Sequence, residues 1–140
     1  MAALIVEEEL ESLQRCVARV EAKRADTAAQ LHTDVDRQDI ISLKLTRAVQ
    51  LSVDLALHAL SSTGASAPHT MEGAFDALAE QAVISEALRD RLKAAVGFRN
   101  IVVHSYQAID WAVVHNITHE RLEDFRLSAR AIARHDTASQ

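Results

Sequence analysis

The chain has 140 residues, 49% of them hydrophobic and 25% charged, with 15 Lys+Arg against 20 Asp+Glu and a formal net charge of -5. A chain of this length can bury roughly 68–70% of its unfolded surface in one globular domain, without a metal or disulfide staple. Its single cysteine, Cys16, rules out an intrachain disulfide and a cysteine-based zinc site, and the acidic balance argues against broad electrostatic capture of nucleic acid, so any such role must rest on a local site.

With 3 Gly, 1 Pro and 4% aromatic residues there is little material for the turns and cross-strand pairs of a sheet protein. The expected class is all-α, a single domain over residues 1–140. The start, Met1 to Glu9, lacks the basic region and long apolar stretch of a secretory signal. No window supplies the ~18 consecutive apolar residues of a membrane span. The expectation is a soluble, cytoplasmic protein.

About five helices follow from hydrophobic spacing. The first runs from about Ala3 to about Thr27, with Leu10, Leu13, Val17 and Val20 on one stripe and Cys16 beside it as a small core residue. The second is capped by Thr33 or Asp34, with Asp36 in its first turn, and continues through Ile40, Leu43, Val49, Leu51 and Leu55 to about Ser61. Residues 61–70 hold the only Pro and one Gly without apolar periodicity, and read as a loop. A short helix spans about Met71 to Glu80. Ser85 caps a fourth carrying Leu88, Leu92, Ala95 and Val96 and running on to Tyr106. Asp110 caps the last, with Val114, Ile117, Leu122 and Phe125 inward, and a frayed tail begins at about 136. Short links between these helices predict an antiparallel bundle.

The fourth helix breaks the pattern. On a wheel at about 100° per residue, Arg99 and Tyr106 fall on the line of Leu88, Leu92 and Ala95, while Asn100 and His104 sit together roughly 120–160° round. Phe98 and Ile101 cover the rest, which predicts a centrally buried segment, and Gly97 would permit close approach of another helix. A guanidinium keeps its charge, and burying it unpaired costs several kcal/mol. Arg99 therefore requires a partner: either a structural ion pair, for instance with Asp54, or a bound anion beside a titratable imidazole.

The segment from Val96 to Tyr106, with Arg99, Asn100, His104 and Tyr106, resembles the motif of HepT-like toxins in the HEPN superfamily: Arg, four residues, His, one residue, Tyr. The order of long helix with an embedded acidic residue, loop, short helix and motif helix over Ile40 to Tyr106 is also similar. The resemblance implies a HEPN-like all-α homodimer that acts as a metal-independent endoribonuclease toxin of a type VII-like toxin-antitoxin system, with no cofactor. It implies a nucleotidyltransferase antitoxin partner, in a larger hetero-oligomer, that adenylylates the motif tyrosine, here Tyr106. It carries Arg99, Asn100 and His104 over as active-site residues acting on RNA.

Their chemistry suits that role. An imidazole with an ordinary pKa near 6.5 can exchange a proton with a ribose 2′-OH or a leaving 5′-oxygen. A guanidinium offers planar donors to a phosphate, and Asn100 can orient the imidazole or hold a phosphate oxygen. Attack by the 2′-OH leaves a 2′,3′-cyclic phosphate and needs no metal-bound nucleophile. Arg99 and His104 lie about 140° and ~7.5 Å apart on a straight helix, so convergence on one phosphate calls for a bend, side-chain reach or a second copy.

Arg47, Gln50, Asp54 and His58 form a polar stripe on the second helix, which reads as cleft support from Arg47 and Asp54, as a solvated face or as internal ion pairs. His115 and His119 are also four apart, but without a third ligand they read as a surface pair and no metal site is expected. Trp111 reads as a packing anchor. The rival to the ribonuclease is a non-catalytic helical module that binds a nucleotide or a nucleotidyltransferase subunit.

Overall fold

The structure, a computed structural model, describes residues 2–138. Within them the chain forms α1 (Ala2–Lys23), α2 (Ala28–Thr33), α3 (Val35–Ser61), α4 (Met71–Glu80), α5 (Glu86–His104), a 3₁₀ turn (Tyr106–Ala108), α6 (Trp111–Glu120) and α7 (Leu122–Ala138). The all-α class holds, but seven helices replace the expected five.

The central helix is α3, which is touched by α1, α2, α4, α5 and α7. Leu13, Val17 and Val20 of α1 lie in one core with Ile41, Leu45 and Leu55 of α3, Phe75 of α4, Leu92 of α5 and Ile132 of α7. Cys16 is buried in the same core, and Trp111 packs partly buried against it, as expected of both. No helix among the described residues is long and apolar enough to cross a membrane.

The caps read from sequence are in place: Asp34 accepts from the Arg37 N–H, Ser85 from Leu88 and Asp110 from Ala112. Thr70, which the sequence reading did not single out, caps α4 by accepting from Gly73. Each satisfies a donor that the first helical turn leaves free. Gly64 supplies the left-handed turn after α3, with φ of 75°.

Three boundaries depart from expectation. First, α1 stops at Lys23 because the Arg37 guanidinium donates to the carbonyls of Lys23 and Arg24 at 2.7 and 3.0 Å, tying that helix end to the start of α3. The residues between form α2, capped by Thr27 and pinned by fully buried Leu31. Gln38, itself buried, donates to the Leu31 and His32 carbonyls at 2.8 and 2.9 Å. Second, the last helix divides at Arg121, where φ is -120° and ψ -2°. Arg24 donates to the Thr118 carbonyl there, taking up an acceptor that the end of α6 leaves free. Third, α7 runs to Ala138, past the point where fraying was expected.

Candidate active site

The motif straddles a helix end. Arg99 and Asn100 belong to α5, His104 is its last residue, and Ser105, with φ of -148° and ψ of 51°, breaks the helix. Tyr106 therefore begins a 3₁₀ turn instead of extending the Arg99 stripe, which corrects its expected place on the helical wheel. Nor is this half of α5 buried within the protomer: Ile101 is 43% and Val103 49% exposed.

Arg99 is half-buried. Its Nη1 donates to Asn100 Oδ1 at 3.1 Å, while its Nε is buried and has no hydrogen-bond partner among the described residues. No carboxylate among the described residues forms an ion pair with it. The structural pairing with Asp54 is not made: Asp54 accepts from Gln50 Nε2 at 3.1 Å instead. His104 is exposed, with its imidazole free of hydrogen bonds and ion pairs among the described residues.

Tyr106 is held from two sides. Its hydroxyl donates to Asp39 Oδ1 on α3 at 3.0 Å. Trp111, at the start of α6, meets its ring edge to face at a centroid distance of 6.1 Å. Burial, then the hydrogen bond to Asp39 and its negative charge, push the phenol above its ordinary value of 10.0.

Within one protomer the α3 stripe does not reach the motif. Arg47 is exposed and makes no side-chain hydrogen bond or ion pair among the described residues. His58 faces Glu9 of α1 at 3.6 Å. Desolvation raises the Glu9 carboxyl above 4.5, with Asp54 adding to the rise and His58 opposing it. Asp39 went unnoticed in the sequence. It shares the exposed face of α3 with Leu43 and Arg47 at spacings of four, so only the long-range contact with Tyr106 distinguishes it from a solvated carboxylate.

The His115 and His119 rings lie tilted against each other with centroids 4.4 Å apart, and His119 Nε2 lies 2.7 Å from the Ala25 carbonyl. That bond joins α6 to the link between α1 and α2 and commits the nitrogen to a structural role. Between α5 and α6 opens a groove of about 760 Å³, lined by Gly97, Phe98, Ile101, Val113 and Ile117 among others. Among the described residues no other helix comes within contact distance of Gly97, so the close approach expected there is not made within the protomer.

The "Ribonuclease HepT-like" family profile matches residues 6–132. The mRNA nuclease HepT of Shewanella oneidensis is 31% identical over 121 residues, covering 86% of this chain and 90% of that protein. A tri-AMPylated Shewanella oneidensis HEPN toxin in complex with MNT antitoxin superposes with a TM-score of 0.87 at 30% identity, covering 93% of this chain and 97% of the toxin. A toxin-antitoxin structure with AMP-PNP gives a TM-score of 0.85 at 30% identity, over 91% and 97% of the two chains. By sequence profile, similarity over most of its length and fold together, the chain belongs to the HepT-like ribonuclease family.

Proposed function

We propose that this protein is an endoribonuclease toxin that cleaves RNA without a metal at a site shared by two copies, and that a nucleotidyltransferase antitoxin silences it by transferring AMP to Tyr106. The observation that carries the reading is Arg99: among the described residues, a half-buried guanidinium with a free Nε–H and no carboxylate partner, five residues before an unencumbered His104. A folded chain tolerates such a cation where an anion visits.

In this mechanism Arg99 binds the scissile phosphate and meets the charge that grows on its oxygens. Asn100, already bonded to Nη1, fixes the plane of the guanidinium. His104 removes the 2′-OH proton as that oxygen bonds to phosphorus, and an imidazole returns a proton to the departing 5′-oxygen, leaving a 2′,3′-cyclic phosphate. Two copies supply two imidazoles. The exposed apolar side chains Leu43 and Leu57 on α3 and Ile101 and Val103 on α5 support such a homodimer. Exposed Arg47 then adds a second cation for the RNA backbone, with Asp54 orienting groups beside it.

The relatives support the partner: one is an AMPylated toxin bound to its MNT antitoxin and another a toxin-antitoxin structure with an ATP analogue. The test is incubation of the purified protein with RNA in EDTA, comparing wild type with His104→Ala and identifying the product ends. Cleavage to 2′,3′-cyclic ends that falls 10²–10⁴-fold in the folded variant is expected. Undiminished cleavage by His104→Ala, or none by wild type, refutes the mechanism, the latter in favour of a non-catalytic binding module. Light scattering showing a monomer at micromolar concentration refutes the shared site.

A further inference from the structure

Tyr106 is the single tyrosine of the chain. It is 42% exposed, so a reagent can approach its hydroxyl while the proton on that hydroxyl already points at a carboxylate. An ordinary phenol ionises near pH 10, so about one in a thousand carries a negative charge at pH 7. Here burial and Asp39 reduce that fraction further. Preformed tyrosinate is thus a poor candidate for a nucleophile at neutral pH. The oxygen has to shed its proton while its bond to phosphorus forms, when its acidity climbs steeply. A base within about 2.6–3.2 Å of the donor oxygen is the geometry that such a transfer requires, and Asp39 Oδ1 stands at 3.0 Å. Among the described residues Asp39 is the one titratable group bonded to the phenol. Trp111, packed against the ring from α6, fixes its orientation without competing for the proton.

We propose that Asp39 is the proton acceptor for adenylylation of Tyr106, so that the toxin chain supplies the base for its own silencing. This rests on the reading above that Tyr106 is the acceptor of AMP. In the step, Tyr106 Oη bonds to the α-phosphorus of ATP. The bond between that phosphorus and the oxygen bridging to the β-phosphate breaks, and pyrophosphate leaves with the bonding pair. The phenolic proton ends on Asp39 Oδ1. The transferase contributes the bound ATP and its activation, whereas the acceptor arrives already aimed by α3 and α6. Asp39 lies on the exposed face of α3, so substitution there leaves the apolar core untouched.

The experiment uses the full chain, ATP and the nucleotidyltransferase antitoxin, following AMP incorporation by intact mass between pH 6 and 9.5, with the modified residue mapped by peptide mass. Asp39→Asn keeps an oxygen that can accept the phenol's hydrogen bond but cannot take its proton. The expected result is a rate about 10²-fold lower at pH 7, rising roughly tenfold per pH unit as hydroxide ionises the phenol. The wild type shows a shallower dependence, and Asp39→Glu recovers most of the rate together with the wild-type profile. Circular dichroism confirms that all variants retain their helices. If Asp39→Asn is modified on Tyr106 at the wild-type rate and with the wild-type pH profile, the base is elsewhere and the proposal falls, while Tyr106 stands as acceptor. A loss that is constant with pH and unrelieved by glutamate makes Asp39 a positioning residue and likewise overturns it. AMP on another residue, equal labelling of Tyr106→Phe, or no labelling of wild type overturns the acceptor reading and this one with it.

Discussion

Replacing Arg99 by methionine separates a binding cation from a structural one. The thioether side chain keeps most of the apolar stem and deletes only the guanidinium. Were Arg99 held in an ion pair, removing it would strand a carboxylate and cost about 3–5 kcal/mol. The structure gives a different sum. The lost hydrogen bond from Nη1 to Asn100 Oδ1 costs about 1.5–3 kcal/mol because the donor is charged, discounted because the pair is only half-buried. Relief of the buried, unpartnered Nε–H returns about 1–3 kcal/mol. The two nearly cancel, so Arg99→Met is expected to unfold within about 1 kcal/mol of wild type in urea, a shift of a few degrees in Tm. Its RNA cleavage should fall about 10²–10³-fold, as for loss of one charge-stabilising donor. The assay pairs urea denaturation with single-turnover cleavage per folded molecule. A destabilisation of 3 kcal/mol or more with cleavage intact would refute the assignment.

Spectrophotometric titration at 295 nm isolates the one tyrosine of the chain: Tyr106 should ionise above pH 10, and Asp39→Asn should bring it down. Because its proton is held more tightly in the folded state, the stabilisation from this group is full below about pH 10 and is lost as pH rises through the folded value. Glu9→Gln should be neutral or stabilising at pH 7, because desolvation raises the Glu9 carboxyl and its charged form opposes folding; below pH 4.5 the difference should vanish. Gln38→Ala should cost about 1–3 kcal/mol in denaturation while leaving cleavage unchanged, since it frees two carbonyls at the junction of α2 and α3. Loss of cleavage without loss of stability would contradict that structural role.

What was legible in the sequence is the part written by local chemistry. Asp34, Ser85 and Asp110 announce helix starts because a short polar side chain before an apolar-periodic run has few other uses. The all-α class follows from scarce Gly, Pro and aromatics, and Arg99 stands out because its charge sits in an apolar stretch. Long-range bonds were silent. In six residues α2 has one buried side chain, Leu31, too few to show a period, and its junction with α3 depends on Gln38, seven residues along. The break at Ser105 has no Gly or Pro to announce it, so the wheel carried Tyr106 onto a face it does not occupy. Asp39 needs its partner, 67 residues away, to be noticed.

The end of α5 at His104 has a consequence for how such a toxin is stored. A bulky group attached within a continuous helix would strain the same rod that carries Arg99 and Asn100. Tyr106 instead rides a three-residue turn closed by two main-chain bonds, Ala108 N–H to the Ser105 carbonyl at 2.8 Å and Ile109 N–H to the Tyr106 carbonyl at 3.2 Å. Short turns of this kind open at a small fraction of the free energy that unfolds the whole domain. With Tyr106 as the proposed acceptor, a nucleotide would be attached there while the helices behind it stay assembled. On the proposed function, the silenced toxin is a folded enzyme blocked at one short turn, its core and helices those of the active form.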